Sequence, residues 1–520
     1  MNNLPKNLQD FLTTCDKCSQ IQESVLKDIL ALSKDTVFGK EHHFDKIDTV
    51  ESYRDSVKVT SWSEMEPYVE KMKRGSTDVL FPSKAPYFVC TSGTSGDIKM
   101  MPESNMAKKV KSITTSLRIE AILKESPKVS KSKILPLVNH AIEGYTVDDT
   151  PYGSASGIAL LTASQKVKEI VAFPTEITEL DYKEDIDYFT MRFAMEEDVG
   201  IIFANNALRV LQLIKSGEKH FDKIVENIEQ GSVDGIENIP EDIKKAFQKR
   251  VKPNPKRAQF LRDIREKGRD VVPESYWPNF GVVSCWLGGS VGRYVAQLKP
   301  YLSENITFFD IGYGATEGKF NIPISPNTPS GLLTTYSAFY EFRLVGGDDF
   351  LMAHELEVGE SYELFVTTYA GLYRYPMGDI IKVNDFVGTT PMIAFDRKAG
   401  DTLNICGEKI SATTFMPLIQ KLIGDGLVHW NVYADDFCYH FQIEHNNKDI
   451  SEEQIAKELD EILMKNIITY GVFRNQNLMH SPLVSFMKSG WSEALYRKKA
   501  GENRSIAQVK LPIVVEKPNG

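Results

Sequence analysis

Apolar and polar residues are arranged along the chain in blocks that predict helices first and then a mixture of strands and helices. Up to about residue 80 the apolar positions are spaced as on helices with polar outer faces. The short apolar run 87–90 (YFVC) predicts a strand. Ser104 or Asn105 then fits the cap of a helix that runs to about Lys124. A strand, a loop and a helix in this order make a plausible anion-binding segment.

Two further apolar runs predict buried strands, and glycines follow both of them. The runs are VVSCWL (282–287) and ITFFDI (306–311). Functional residues of α/β sheets commonly lie beyond the carboxyl ends of such strands. Three later runs predict an antiparallel unit, and they lie near residues 337–345, 361–368 and 379–386.

The pattern changes after about Arg397. A helix is predicted near 411–424, followed by two strands, 428–434 and 437–445, which turn at Asp435 and Asp436. Ser451 and Gln454 fit a capping box for a helix that runs to about Ile467. We therefore predict an α/β chain with a large domain of sheets packed with helices, residues 1–396, and a smaller α+β domain, residues 397–520.

Composition limits the classes of partner. The net charge of −10, from 71 acidic and 61 basic side chains, argues against nucleic acid as a partner for the whole surface, although a small anion can still bind a local basic pocket. No apolar run approaches the length needed to span a membrane, and the first residues do not resemble a signal peptide. The six cysteines are scattered, so we predict no disulfide framework and a cytoplasmic location. The oligomeric state is left open.

The loop between the first strand and the capped helix carries phosphate-binding chemistry. It reads TSGTSGDIKMMP (91–102) and lacks the adjacent glycine, lysine and hydroxyl of a Walker A motif. Its glycines permit close backbone approach to an anion, its hydroxyls can donate to phosphate oxygens, and Lys99 adds a positive charge. A surface turn rich in serine and threonine is the alternative. The donor candidates are Ser92, Thr94 and Ser95.

TSGTSGxxK resembles the signature loop of the adenylate-forming superfamily, which includes acyl-CoA synthetases, peptide-synthetase adenylation domains and firefly luciferase. Within this superfamily, the chain resembles the auxin-responsive acyl-acid amido synthetases of plants and their microbial relatives. The resemblance extends over nearly the whole chain. It rests on FGKEHHFDKI (38–47), ESYRDSV (51–57), GIIFANN (200–206), CWLGGS (285–290), GYGATEG (312–318), YEF (340–342), GLYRYPMGD (371–379) and QVKLP (508–512).

The resemblance implies a nucleotide site built from several of these motifs. Tyr313 would lie against the adenine ring, Thr316 would contact the α-phosphate, and Glu317 would ligate Mg²⁺. Asp379 would bind the ribose hydroxyls. For each carboxylate the alternative is an ordinary loop or turn residue. The resemblance also places Gly288, Gly289 and Ser290 along the adenine pocket, for which an ordinary tight turn is the alternative.

The resemblance further implies a mobile C-terminal domain that moves over the active site. Arg397 would lie near the ribose, and Lys398 would be the hinge, for which an ordinary linker is the alternative. Lys510 would enter the active site to assist adenylation together with Lys99. A surface lysine is the alternative for Lys510, because Ile513 stands where relatives usually carry arginine.

The implied reaction uses ATP and Mg²⁺ to adenylate a small carboxylic acid and then transfers the acyl group to an amino acid, with release of pyrophosphate and AMP. An acyl-CoA ligase and a nucleotide-binding protein without turnover are the alternatives. No base for the second step stands out, and His140 and His354 are only candidates. The acyl pocket is predicted to involve residues 151–157 and Phe173, Phe203 and Asn205.

Overall fold

The computed structural model describes residues 4–90, 99–180, 183–205, 207–234, 239–266, 272–288, 294–399, 402–405, 408–435, 437–447, 450–475, 479–500, 511–515 and 517. The chain divides into two compact units. The larger unit comprises Met1–Thr91, Ile98–Met377 and Ile381–Phe395. The smaller unit is built mainly from Asp396–Gly520, together with Gly378–Ile380. The exact domain limits drawn from the sequence stay a prediction.

Helices of the larger unit are concentrated in residues 8–73 and 105–298. They are α1 Leu8–Thr13, α2 Cys18–Ser33, α3 Val37–Glu41, α4 Val50–Ser56, α5 Trp62–Lys73, α6 Asn105–Glu125, α7 Ala155–Leu161, α8 Gln165–Ile170, α9 Lys183–Ala194, α10 Ala207–Lys219, α11 Phe221–Gln230, α12 Glu241–Gln248, α13 Pro255–Glu266, α14 Pro273–Tyr276 and α15 Tyr294–Leu298. The smaller unit contains α16 Ala412–Ile423, α17 Glu452–Asn466, α18 Ile468–Asn475 and α19 Trp491–Ala500. None of the described helices is both long and apolar enough to cross a membrane.

Strands occur in both units. The first fifteen are β1 Tyr87–Cys90, β2 Met100–Glu103, β3 Lys133–Pro136, β4 Gly144–Tyr145, β5 Pro151–Gly153, β6 Val199–Phe203, β7 Val282–Cys285, β8 Thr307–Asp310, β9 Asn321–Ile322, β10 Gly331–Leu333, β11 Ala338–Leu344, β12 Phe350–Leu351, β13 Ser361–Thr368, β14 Tyr375–Val387 and β15 Thr390–Lys398. The remaining strands are β16 Thr402–Ile405, β17 Glu408–Ser411, β18 Leu427–Ala434, β19 Tyr439–His445 and β20 Leu483–Met487.

A four-stranded parallel sheet, in the order β3-β6-β7-β8, forms the centre of the larger unit. All four residues of β7 are buried, as expected of a strand covered on both faces. Buried side chains of helices that include α9, α10, α11 and α13 join the same apolar core. The two buried strands predicted from residues 282–287 and 306–311 are confirmed as β7 and β8.

A seven-stranded sheet, in the order β12-β11-β13-β14-β15-β10-β9, forms a second part of the larger unit. β11 and β13 pair antiparallel over seven residue pairs, which confirms the predicted antiparallel sheet. This sheet shares its core with α2 and with residues from α3 to α5. The ring of Tyr373 stacks on Phe38 with 4.5 Å between centroids, so the motifs FGKEHHFDKI and GLYRYPMGD pack together.

An ion-pair network that is largely buried joins three of the sequence motifs. Arg374 adopts a φ of 44°, which few side chains tolerate, and its Nε donates to Glu341 at 2.8 Å. The other oxygen of Glu341 accepts from Arg54 at 2.9 Å. A second guanidinium nitrogen of Arg374 donates to the carbonyl of Val57 at 3.0 Å. These bonds satisfy the carboxylate of Glu341, whose side chain is only 1% exposed. Arg374 therefore has a structural role, although it belongs to a sequence motif.

The helix predicted after the phosphate loop is confirmed, but the last residues of the predicted loop, 100–102, belong to a strand, β2. β1 pairs antiparallel with β2, in a sheet ordered β2-β1-β5-β4. Ser104 Oγ accepts from the N–H of Ala107 at 3.0 Å and caps α6, which confirms the predicted helix start. The loop between β1 and Lys99 lies outside the described residues.

The smaller unit contains a three-stranded sheet, β18-β19-β20, and a hairpin of β16 and β17. Helices α16, α17 and α18 contribute to its separate apolar core. Ser451 Oγ accepts from the N–H of Gln454 at 3.2 Å, as half of the predicted capping box requires. The turn predicted at Asp435 and Asp436 falls between β18 and β19, where Asp435 follows β18 and Asp436 lies outside the described residues. Residues 511–515 run beside β18, where Val432 donates to the carbonyl of Ile513 at 2.7 Å.

Candidate active site

One buried carboxylate joins the two glycine segments that follow β7 and β8. Asp310, the last residue of β8, is 1% exposed. Its Oδ2 accepts from the N–H of Leu287, and its Oδ1 accepts from the N–H of Gly312, both at 2.7 Å. Because β7 and β8 are parallel neighbours, both segments leave the same edge of the sheet. The carboxylate of Asp310 therefore fixes the backbone of both segments, CWLGG and GYGATEG, near their first residues.

Arg118 of α6 lies beside this carboxylate. Its guanidinium donates to the carbonyl of Ile311 and lies 5.2 Å from the ring centroid of Phe203. Burial raises the pKa of Asp310 to about 6, although the N–H groups and the charge of Arg118 oppose that rise. Burial also lowers the pKa of Arg118 to about 10, against the opposing charge of Asp310. The two buried charges thus influence each other, and Arg118 bonds the carbonyl of the residue that follows Asp310.

A second cation of α6 holds the same loop further along. The ammonium of Lys111 donates to the carbonyl of Thr316 at 2.9 Å and to Glu103 Oε2 at 2.6 Å. Glu103 ends β2, the strand that includes the last residues of the predicted phosphate loop, and its side chain is 4% exposed. One ammonium thus connects the motif residue Thr316 to the strand that leaves the phosphate loop. Two charge-assisted bonds to a single lysine restrict its position strongly.

Glu317 and Lys319 line a small cavity with Lys111. Lys319 donates to Thr115, and its removal from water, together with the charges of Arg118 and Lys111, lowers its pKa to about 7. Glu317 is partly exposed, on the loop between Tyr313 and Phe320. This part of the larger unit is rich in cations, which suits a polyanionic ligand.

Tyr313 is buried, and its ring is part of an aromatic cluster. Its centroid lies 5.1 Å from that of Phe320 and 5.8 Å from that of Phe395. The ring centroid of Trp286 lies 5.3 Å from that of Phe395, so Trp286 belongs to the same cluster. The N–H of Tyr313 donates to Asn321 Oδ1 at 2.6 Å, which fixes the loop backbone. The cluster brings together aromatic residues that follow β7 and β8, and their rings can provide an apolar surface.

Lys99 is the first residue of the predicted phosphate loop that the structure describes. Its ammonium lies 5.5 Å from the ring centroid of Trp62, at the start of α5. A cation over an aromatic face is held by a modest electrostatic attraction, so Lys99 can move to a stronger anionic partner. The next residue, Met100, begins β2, which ends at Glu103.

Asp379 and Arg397 belong to the smaller unit. Asp379 is 3% exposed and follows Gly378, whose φ is 61°. The carbonyl of Gly378 accepts from the N–H of Ala399 at 2.9 Å, which brings the residues flanking Asp379 next to those flanking Arg397. Arg397 forms an ion pair with Asp396. Sequence motifs 18 residues apart are thus brought together within this unit by strand pairing.

Several predicted site residues lie outside the described residues, so their placement stays a prediction. These residues are Ser92, Thr94, Ser95, Gly289, Ser290 and Lys510. Lys398 differs from them, because its backbone is described as the end of β15.

The other candidates have structural environments. Both ring nitrogens of His140 contact carbonyl oxygens, that of Ile142 at 2.6 Å and that of Leu180 at 3.2 Å, an arrangement typical of a structural histidine. Phe173 and Phe203 belong to the core around the parallel sheet. His354 is exposed in a short 3-10 helix.

Sequence reasoning missed Asp310, Lys111, Glu103, Arg118 and Lys319. The signal for Asp310 was present, because it is an acidic residue at the end of a run of buried apolar residues. Nothing local distinguishes Lys111 or Arg118 from the other basic residues of α6. Their partners lie on segments about 200 positions away in the sequence.

The donor chemistry in the larger unit fits Mg²⁺. Magnesium is usually held by one or two carboxylates and by phosphate oxygens of the substrate, so a single carboxylate, Glu317, is sufficient. The partly exposed position of Glu317, beside Lys111 and Lys319, suits a residue that shares a metal with phosphates.

Comparison with known proteins identifies the family. Residues 7–307 match the GH3 family N-terminal domain, 331–398 the GH3 family central domain and 427–519 the GH3 family C-terminal domain. A 4-substituted benzoates-glutamate ligase of Arabidopsis thaliana, GH3.12, is 25% identical over 88% of this chain and 83% of its own length. The jasmonoyl-L-amino acid synthetase JAR4 of Nicotiana attenuata is 22% identical over 98% of this chain and 94% of its own length.

Solved structures agree with this assignment. The GH3.15 acyl acid amido synthetase has a TM-score of 0.80 at 20% identity, covering 98% of this chain and 93% of that one. A 2-hydroxyisobutyryl-CoA ligase, solved in its postadenylation state, has a TM-score of 0.51 at 10% identity, over 99% of this chain and 91% of that one. These likenesses confirm the predicted α/β fold class, and the matched relatives confirm the predicted enzyme class of amido synthetase. The chain belongs to the GH3 family.

Proposed function

We propose that this chain uses ATP to activate a small carboxylic acid as an acyl-adenylate and transfers the acyl group to the amine of an amino acid. The observation that carries the proposal is the way in which the GYGATEG loop is held. Asp310 joins its start to the CWLGG segment, and Lys111 joins Thr316 to the strand after the serine-rich loop. Segments far apart in sequence thereby converge, as one ATP molecule requires.

The first step makes the carboxylate reactive. A carboxylate oxygen attacks the α-phosphorus of ATP, a new P–O bond forms, and the bond to pyrophosphate breaks. The chain's contribution is to orient these groups in line and to stabilise the developing negative charge. In the proposed arrangement Thr316, Ser92, Thr94 and Ser95 hold phosphate oxygens, and Lys99 and Lys510 supply positive charge. Mg²⁺ held by Glu317 would neutralise phosphate charge when bound.

The second step forms the amide. The neutral amine attacks the acyl carbon, AMP leaves as the carboxyl–phosphate bond breaks, and the amine loses a proton. The nucleotide must stay bound through both steps. We assign Tyr313, Gly289 and Ser290 to the adenine ring and Asp379 and Arg397 to the ribose. A carboxylate such as Asp379 can accept hydrogen bonds from both ribose hydroxyls.

We further propose that residues 397–520 move over the active site between the two steps. Such a movement would bring Lys510 in for adenylation and would make room for the amine afterwards. Lys398, where β15 ends, is the proposed hinge.

The acid and the amino acid are best found by a crossed screen. Pyrophosphate release is measured with a panel of aromatic and aliphatic acids, and each active acid is then combined with the twenty amino acids and, separately, with CoA. We expect acid-dependent pyrophosphate release and an amide product by mass spectrometry. A thioester product with CoA and no amide would overturn the amide assignment. Binding of ATP without pyrophosphate release for any acid would overturn the assignment as an enzyme.

The assignment of Glu317 to the metal site is tested separately, with an acid and an amino acid that the screen shows to be substrates. Glu317→Ala should lower Mg²⁺-dependent pyrophosphate release at least a hundredfold. Glu304→Ala, an exposed loop glutamate of the larger unit, is the matched control and should keep the wild-type rate. Equal rates in the two variants would remove Glu317 from the metal site.

A further inference from the structure

A histidine, a cysteine and an aspartate meet at the end of the β18–β19 hairpin, a region to which the amido synthetase reaction assigns no role. One ligand atom from each of Asp435, Cys438 and His440 lies within 4.8 Å of the other two. The Nε2 atom of His440 is 2.7 Å from Asp435 Oδ2 and 3.3 Å from Cys438 Sγ. It is the one cluster of this kind in the described part of the chain.

The three side chains are held in position by the hairpin itself. Asp435 Oδ1 accepts from the N–H groups of Phe437 and Cys438, both at 2.8 Å, so Oδ2 is directed to the cluster. His440 is the cross-strand partner of Tyr433, and their rings stack with centroids 4.6 Å apart. Cys438 is 4% exposed. The ligand atoms are therefore oriented before any ligand arrives, which lowers the cost of binding.

These three donors are the types that Zn²⁺ prefers. Sulfur, imidazole nitrogen and carboxylate oxygen lie about 2.0–2.3 Å from tetrahedral zinc, so neighbouring ligand atoms stand roughly 3.3–3.6 Å apart. The Nε2–Sγ distance is close to that value, and the Nε2–Oδ2 distance needs to widen by about half an ångström. The side chains of Asp435 and His440 are 23% and 20% exposed, which leaves room for water as a fourth ligand.

We propose that Asp435, Cys438 and His440 bind one Zn²⁺ ion. The thiolate and carboxylate carry two negative charges, which outweigh the positive charge of Lys517, whose field also reaches Cys438. The ion would link β19 to the turn after β18. β18 is also the strand that pairs with residues 511–515, through Val432 and Ile513. Zinc would accordingly stabilise the part of the smaller unit that anchors the C-terminal segment.

The competing interpretation is a hydrogen-bonded turn with no metal, in which His440 donates to Asp435. Cobalt distinguishes the two, because Co²⁺ takes the same ligands and a cysteine ligand gives a thiolate charge-transfer absorption in the near ultraviolet. The full chain, without a polyhistidine tag and freed of metal by chelator dialysis, is titrated with Co²⁺ and then with Zn²⁺. We expect one equivalent of cobalt, the charge-transfer band, displacement by zinc, and a higher thermal unfolding temperature with zinc.

Variants assign the ligands. Cys438→Ser should abolish the charge-transfer band, and His440→Gln should weaken zinc binding at least tenfold. His445→Gln is the matched control, because His445 lies on the same strand outside the cluster. Circular dichroism and unfolding without metal show whether each variant is folded. The proposal is overturned if the folded wild-type chain binds no zinc, or if Cys438→Ser binds zinc as tightly as wild type.

Discussion

The carboxylate of Asp310 accepts a hydrogen bond of 2.7 Å from the backbone N–H of Leu287, 23 positions earlier in the chain. Its other oxygen accepts from Gly312, so one buried side chain aligns the beginnings of two glycine motifs. Both motifs follow parallel strands, and both are expected to contact the nucleotide. We therefore propose that Asp310 is a positioning residue of this site.

The raised pKa of Asp310 predicts that the stability of the folded chain decreases as the pH rises. The pKa of this carboxyl is about 6 in the folded chain and near 3.8 in the unfolded chain, so the folded state binds the proton more tightly. The stability contributed in this way is complete below about pH 4 and is lost as the pH rises through about 6. The shift from 3.8 to about 6 corresponds to roughly 3 kcal/mol.

Denaturant unfolding of wild type and Asp310→Asn between pH 4 and pH 7.5 checks this prediction. The free energy of unfolding of wild type, relative to Asp310→Asn, should fall by roughly 3 kcal/mol across this range. A difference that stays constant with pH would show that Asp310 titrates like an exposed carboxyl.

Lys111 should be needed for nucleotide use. Lys111→Met removes the bonds to Glu103 and to the carbonyl of Thr316, and it leaves a buried carboxylate without its cation. We expect a loss of about 3–5 kcal/mol in the free energy of unfolding. In the fraction that remains folded, the KM for ATP should rise about tenfold, because the Thr316 carbonyl is no longer held.

Lys109→Met is the matched control for this variant. Lys109 lies on the same helix but is exposed, so both the stability and the KM for ATP should be unchanged within error. If Lys111→Met lowers stability while the KM for ATP stays at its wild-type value, the lysine serves packing alone.

The Glu341–Arg374 pair should contribute to stability without taking part in the chemistry. Glu341→Gln removes the charge that both Arg54 and Arg374 face, and Arg374 is held at a positive φ. Breaking one side of such a buried pair costs about 3–5 kcal/mol. Glu363→Gln, in the partly exposed pair with Arg343, should cost less than about 1 kcal/mol.

Urea unfolding of both variants, with activity measured at a temperature where each is folded, completes the test. A loss in Glu341→Gln as small as that in Glu363→Gln would show that the buried network is not needed for the fold.

Asp379→Ala should mainly weaken nucleotide binding. If Asp379 accepts from the ribose hydroxyls, its loss should raise the KM for ATP at least tenfold and should reduce the preference for ATP over 2′-deoxy-ATP. Asp385→Ala, an exposed aspartate on the same strand β14, is the control. Equal ATP affinity in the two variants would exclude the ribose role.

Local patterns in the sequence determined many of the elements. Ser104 caps α6 because its hydroxyl bonds the N–H of a residue three positions later. The hairpin of β18 and β19 likewise follows from two short runs and a polar turn between them. These features depend on neighbours within a few residues, so they can be predicted from the sequence alone. The motifs also sufficed to identify the family, since their order along the chain is specific.

The tertiary structure alone decided how the motifs are held. Lys111 and Thr316 are 205 positions apart, and no periodicity in the sequence pairs them. Arg374 looked like part of a functional motif, but its guanidinium is used to hold Glu341 and the carbonyl of Val57. The two partners of Asp310 likewise come from two different loops, one after β7 and one after β8. Such pairings arise because buried charges need partners from whichever segments the core brings near, and the choice of those segments belongs to the packing of sheets and helices.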